Sequence, residues 1–390
     1  MSPGPTTATA AAPARDQYVD FLRGGAIFGV ACIHFGGSFA SSDHAWTPAF
    51  HVGLFLNQVF SFAVPLFIFL SGLLAGMARE RPGDTLWAYY GRRLARIGGP
   101  YLVASLAAFY LLNSYVTWRE LPSFQAQAVW LAKKLILTGI EPTLYFIPLI
   151  VALYFLQPLL RAAPQWLHAA LERMAPGRSS VAGCVRTLGV LTLLLHVVLG
   201  VLCYRNVLDY YTWARPNPLF WLFYFYLGLH FRELTAGWSV RFARLAVGAA
   251  LVVALGLLAW DLHTLTDPKV VGAHFELSKI DYAYARPEIL AYNLAVITVL
   301  AGGILLGWTW SLPPFAWLGR YSLEIYLWHV IVLYELAWRF PEVLADCNRL
   351  PELIPGMAFA TCLLIAGVFD GAPRLAALAR RYRLVLVRAE

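Results

Sequence analysis

The chain has 390 residues, 59% hydrophobic and only 13% charged, with a mean hydropathy of +0.61. This composition excludes an ordinary soluble enzyme and describes a polytopic membrane protein. The formal net charge of +8 is spread over the ends of apolar runs, which argues against a nucleic-acid-binding domain and fits orientation in a bilayer.

Residues 1–15, MSPGPTTATAAAPAR, are small and proline-rich and lack the apolar core and basic flank of a signal peptide. They read as a disordered cytoplasmic tail, followed by a membrane domain over 16–376 and a basic cytoplasmic tail over 377–390. Apolar runs long enough to cross a bilayer as helices fall at about 18–37, 53–78, 95–112, 143–160, 185–204, 218–235, 243–262, 288–310, 319–338 and 356–373. The fold expected is therefore an all-α membrane bundle of about ten transmembrane helices. The stretch 124–138, with Lys133 and Lys134, is amphipathic and either lies at the interface or dips back in.

With the N-terminus inside, Arg79, Arg81, Arg92, Arg93, Arg96, Arg161, Arg173, Arg178, Arg241, Arg244, Arg320 and Arg374 all fall on the cytoplasmic side, as do Arg380, Arg381 and Arg383. This asymmetry predicts both termini in the cytoplasm. Trp87, Tyr89, Tyr90, Trp118, Tyr210, Trp213 and Trp338 sit near run ends and read as interfacial belts. The loop 263–287 carries mixed charge and reads as solvated, with polar groups able to meet a substrate. Cys32, Cys184, Cys203, Cys347 and Cys362 have no metal-ligand spacing and read as packing residues.

Within the first run, Arg23 and His34 are eleven steps apart, which at about 100° per residue leaves them about 20° apart in phase and about 16 Å apart along the axis. One helix face thus carries a fixed cation near its start and an imidazole about three turns deeper. Ionisable groups at membrane depth are costly and mark substrate or ion pathways. A neutral imidazole suits removal of a hydroxyl proton, although a packing histidine bonded to a neighbouring carbonyl has the same spelling. Asp20, three residues before Arg23, is spaced to pair with it.

The segment Asp20-Phe21-Leu22-Arg23-Gly24-Gly25-Ala26, with the run to His34, resembles the opening helix of the membrane acyltransferase-3 family. Further segments match in the family's order: Val64-Pro65-Leu66-Phe67-Ile68-Phe69-Leu70-Ser71-Gly72, Gly91-Arg92-Arg93-Leu94-Ala95-Arg96-Ile97, Glu141-Pro142-Thr143-Leu144-Tyr145-Phe146-Ile147-Pro148, and Trp317 through Tyr326 to His329. Tyr145 stands where the family usually has tryptophan, and Glu324 where a small residue is common. The resemblance implies an integral membrane O-acyltransferase of the bacterial cytoplasmic membrane. It would move an acyl group, acetyl in the first instance, from acyl-CoA to a hydroxyl of an envelope polysaccharide or lipid-linked glycan, with no metal.

In that reading His34 is the catalytic base, or carries the acyl group in passing, with Arg23 and Asp20 beside it. Arg92, Arg93 and Arg96 hold the donor, while Ser71, Glu141, Tyr145, Tyr326 and His329 contact substrate or pack between helices. A flippase of a lipid-linked glycan without acyl-transfer chemistry is the alternative, and a haem protein is a third option.

Overall fold

The computed structural model describes residues 17–40, 46–78, 85–266 and 283–387. The expected tail 1–15, the Asp43-His44 loop, most of the 263–287 loop and the chain end at 388–390 lie outside the described residues. The described residues contain no strand. Their helices are α1 (Gln17–Phe39), α2 (Pro48–Val59), α3 (Ala63–Met77), α4 (Leu86–Leu111), α5 (Ser114–Arg119), α6 (Phe124–Lys133), α7 (Phe146–Met174) and α8 (Val181–Tyr204). Then come α9 (Pro218–Leu229), α10 (Phe231–Thr235), α11 (Val240–Thr266), α12 (Pro287–Leu305), α13 (Pro313–Arg320), α14 (Ser322–Arg339), α15 (Pro341–Arg349) and α16 (Leu353–Val387).

Eight helical segments among the described residues are long and apolar enough to cross a membrane: α1, α2 with α3, α4, α7 with its leading turn, α8, α11, α12 and the Leu353–Arg374 part of α16. The other two runs, 218–235 and 319–338, are interrupted. The first becomes α9, whose 12 residues reach only about 18 Å at 1.5 Å per residue, followed by the short α10. The second loses only its first three residues to the break at Tyr321 and survives as the 18-residue α14, which carries three charged residues, Glu324, Glu335 and Arg339. The 124–138 stretch forms α6, which buries no residue, and a π-helical turn over Lys134–Thr138 that ends at Gly139 with φ +79°.

In α1, 67% of the apolar stretch is buried, against 11% in α11, so α1 runs through the centre of the bundle and α11 turns most of its side outward. Glycine makes the central crossings possible. A Cβ on Gly24 would lie 1.7 Å from the Phe315 carbonyl oxygen of α13, and one on Gly319 would lie 1.8 Å from that of Asp20. The same holds between α3 and α9, where a Cβ on Gly228 would lie 2.0 Å from the Phe69 oxygen. Backbones that meet this closely gain packing that bilayer lipid cannot supply.

Pro65 lies beside the interruption between α2 and α3. The break falls just before it, at Phe60–Phe62, and leaves Pro65 in the first turn of α3, where a missing N–H costs nothing. A side chain satisfies the opened backbone, as Tyr292 of α12 donates to the Val59 oxygen at 2.7 Å, and the Ser61 hydroxyl ties the break to α12 by donating to Asn293 Oδ1 at 3.2 Å. Irregular backbone inside a membrane bundle requires such partners. All five cysteines are buried and free, in keeping with packing roles.

Candidate functional site

Two cavities, of about 360 and 320 Å³, are each lined in part by Phe146 and Tyr326, which stand between them. Tyr326 comes from α14 and donates its hydroxyl to the Thr143 carbonyl oxygen, fixing α14 to the turn that leads into α7. The larger cavity is lined by Arg23, Ser71, Arg93, Arg96, Tyr154 and Ser322. The smaller is lined by His34, Asn57, Tyr145, Tyr210, Arg215 and Tyr284, among others. The shared phase of Arg23 and His34 on α1 therefore turns both toward cavities, one on each side of the Phe146–Tyr326 wall.

In the larger cavity the Arg23 guanidinium donates to Ser322 Oγ at 2.7 Å and lies 3.9 Å from Asp20 Oδ1. The break at Tyr321 is what brings Ser322, the first residue of α14, within reach. Asp20 is buried and lines a separate recess with Gln17, Trp317 and Arg320, so it meets this cavity through Arg23. Arg93 stacks over Tyr154, its Cζ 4.4 Å from the ring centroid. Arg92 lines neither cavity, because it stands about 100° from Arg93 around α4, whereas Arg96 stands about 60° away. Tyr89 and Tyr90, expected in an interfacial belt, instead tie α4 to α7: Tyr89 bonds Gln157, and Tyr90 donates to the Phe155 oxygen at 3.1 Å. That bracing sets Arg93 over Tyr154.

In the smaller cavity the His34 ring faces the His329 ring, centroids 5.3 Å apart and planes at 41°. His329 is fully buried, and its Nδ1 lies 2.8 Å from the Tyr326 carbonyl oxygen and 3.1 Å from that of Ile325. Carbonyl oxygens only accept, so Nδ1 carries the hydrogen and Nε2 keeps a lone pair. That Nε2 has no hydrogen-bond partner among the described residues. His329 thus supplies an oriented acceptor beside His34 from the α14 face that also holds Tyr326.

The family model described as an acyltransferase domain matches residues 16–369. The chain belongs to the membrane acyltransferase-3 family. It is an acyltransferase, and its long apolar helices make it a multi-pass membrane protein. No curated protein and no solved structure matches the chain. Among the described residues of this acyltransferase, no group of three or more His, Cys, Asp or Glu side chains has a metal-holding arrangement.

The remaining candidates separate. Tyr145 lines the smaller cavity, and Ser71 the larger. Glu141 lines neither. Burial pushes its carboxyl up, against the opposing pull of Lys134 and Arg215. Arg215, which the sequence reading passed over, sits with its Cζ 4.3 Å from the Tyr145 ring centroid and 5.7 Å from that of Tyr211. Tyr210 was read as a belt residue, but it is 2% exposed and lines the same cavity. The available signal was Arg215 itself, a cation in an aromatic loop that the expected orientation places outside, where the positive-inside rule predicts few basic residues. Trp87 and Trp338 are 85% and 78% exposed and line neither cavity.

Proposed function

We propose that this acyltransferase is an O-acetyltransferase of the bacterial cytoplasmic membrane, moving the acyl group of cytoplasmic acetyl-CoA to a hydroxyl of an envelope polysaccharide or lipid-linked glycan. The observation that carries this reading is the pair of cavities meeting at Phe146 and Tyr326, one lined by arginines and the other by His34. Arginines suit phosphate groups because the planar fork can make paired, charge-assisted hydrogen bonds. The larger cavity, at the positive-inside end, takes the donor, and the His34 cavity takes the acceptor from the opposite side.

The acceptor hydroxyl gives its proton to His34 while its oxygen attacks the thioester carbonyl carbon. Collapse of the tetrahedral intermediate breaks the C–S bond, and the departing thiolate takes up the proton, giving an ester and free coenzyme A. His329 acts as a positioning residue: its ring packs against that of His34, and its unpartnered Nε2 lone pair offers the N–H of His34 an acceptor in the substrate complex, so that the other imidazole nitrogen faces the hydroxyl. Arg23, held by Asp20 and Ser322, orients the donor's polar arm toward the wall.

Two outcomes follow from these placements. Arg93→Ala and Arg96→Ala should each raise KM for acetyl-CoA more than KM for acceptor, whereas Arg92→Ala should change donor KM little. Equal donor kinetics in all three variants would remove the arginines from donor binding. His329→Phe should lower kcat by about 100-fold through misorientation of His34, with donor KM nearly unchanged, and His329→Gln should recover part of the rate. A loss confined to donor KM would instead make His329 a binding residue. The reaction itself is tested by mass spectrometry of envelope glycans with and without the gene, which should differ by an acetyl-sized mass.

A further inference from the structure

Arg215 is the only arginine, lysine or carboxylate side chain among the described residues that line the His34 cavity. It comes from the short loop after the π-helical turn Tyr210–Ala214, just before the cap of α9. Its guanidinium rests against the rings of Tyr145 and Tyr211, and it makes no ion pair with a carboxylate among the described residues. Glu141 faces Arg215 electrostatically but does not line the cavity.

A fixed charge turned into a half-open cavity lined mostly by aromatic and apolar side chains is costly unless a counter-charge meets it. Aromatic faces and a hydrogen bond with the Tyr145 hydroxyl recover part of that cost, and they supply no counter-charge. Three further tyrosines, Tyr210, Tyr284 and Tyr326, line the same space. A charge that is permanent in the resting protein matches a ligand charge that is also permanent. The transient oxyanion of the reaction does not meet that condition.

We infer that the acceptor bears an anionic oxygen group, a carboxylate or a phosphate, on or next to the sugar that is acylated, and that Arg215 binds it as a forked partner. The inference rests on the reading of the His34 cavity as the acceptor site. It narrows the acceptor to acidic glycans: uronate-type units, or units joined to phosphate. Arg215 then fixes which hydroxyl of that unit faces His34.

The test uses full-length protein in nanodiscs and three probes: methyl glucoside, glucuronate and glucose 1-phosphate. A thiol placed at Asn57, which lines the cavity, reports occupancy through its rate of maleimide labelling, because the five native cysteines are buried. Glucuronate or glucose 1-phosphate should slow labelling of Asn57→Cys at concentrations about tenfold or more below those needed of methyl glucoside. Whichever anion protects better identifies carboxylate or phosphate as the source.

Arg215→Gln should erase that preference, and Arg215→Lys should keep part of it. Equal protection by all three probes in the Asn57→Cys protein would overturn the inference, even if Arg215→Gln failed to fold. So would a preference that survives Arg215→Gln, or one lost in Arg93→Ala/Arg96→Ala but kept in Arg215→Gln. His34→Ala should lose turnover and keep the anion preference. If it kept turnover, the catalytic reading would fall while the binding result stood.

Discussion

Replacing His34 with alanine is expected to lower kcat by about 10²–10⁴-fold, the usual contribution of a positioned general base, and to leave the protein folded in the membrane. Alanine continues α1, and His34 makes no helix crossing of the kind made by Gly24 or Gly36. Acetyl transfer and the size-exclusion profile of the purified variant should be measured together. A well-folded variant with turnover near wild type would remove His34 from the chemistry. The neighbouring ring of His329, 5.3 Å away between centroids, is held by the carbonyl oxygens of its own helix and should not substitute for it.

A second large effect is expected from one methyl group. Gly24→Ala places a Cβ 1.7 Å from the Phe315 carbonyl oxygen, and backbone cannot swing aside as a side chain does. Helix α13 must move from α1, at a cost of about 1–3 kcal/mol for such overpacking. The break at Tyr321 moves with it, and so does Ser322, which holds Arg23. Both thermal stability in nanodiscs and donor-dependent activity should fall. Gly25→Ala is the matched control, because nothing lies within 4 Å of its added carbon. Its stability should change by less than about 0.5 kcal/mol. Equal behaviour of the two variants would show that the α1–α13 contact is looser than described.

The alternation of apolar runs made the helices readable from sequence, and the eleven-residue step made the phase of Arg23 and His34 readable too. The interruptions were harder to see. Val59 to Ala63 reads as part of an apolar run, yet the helix opens there, where Tyr292 takes the Val59 oxygen and Asn293 accepts from the Ser61 hydroxyl, both from more than two hundred residues away in sequence. Likewise 218–235 looked like a span. As α9 it is a 12-residue helix enclosed by protein, and its buried aromatic side chains mimic the composition of a lipid-facing helix.

Within the candidate site, Arg23, His34, Arg93, Arg96, Ser71, Tyr145 and Tyr326 line the cavities, and His329 stands behind His34. Asp20 acts only through Arg23, while Arg92 and Glu141 stand aside. Arg215 and Tyr210 were hidden because aromatic and basic residues at run ends look alike whether they face headgroups or a cavity. Only the fold of the 205–217 connection turns them inward.

The most direct measurement of the central claim follows label from donor to product. Membrane vesicles carrying the wild-type protein or the His34→Ala variant are supplied with acetyl-labelled acetyl-CoA, and the glycan and lipid-linked fractions are treated with mild alkali. The account predicts alkali-labile label in the glycan or lipid-linked glycan fraction of wild-type vesicles and almost none with His34→Ala. Label absent from both, with unmodified lipid-linked glycan crossing the membrane, would contradict acyl transfer to a glycan, and equal ester label in both would contradict the assignment of His34.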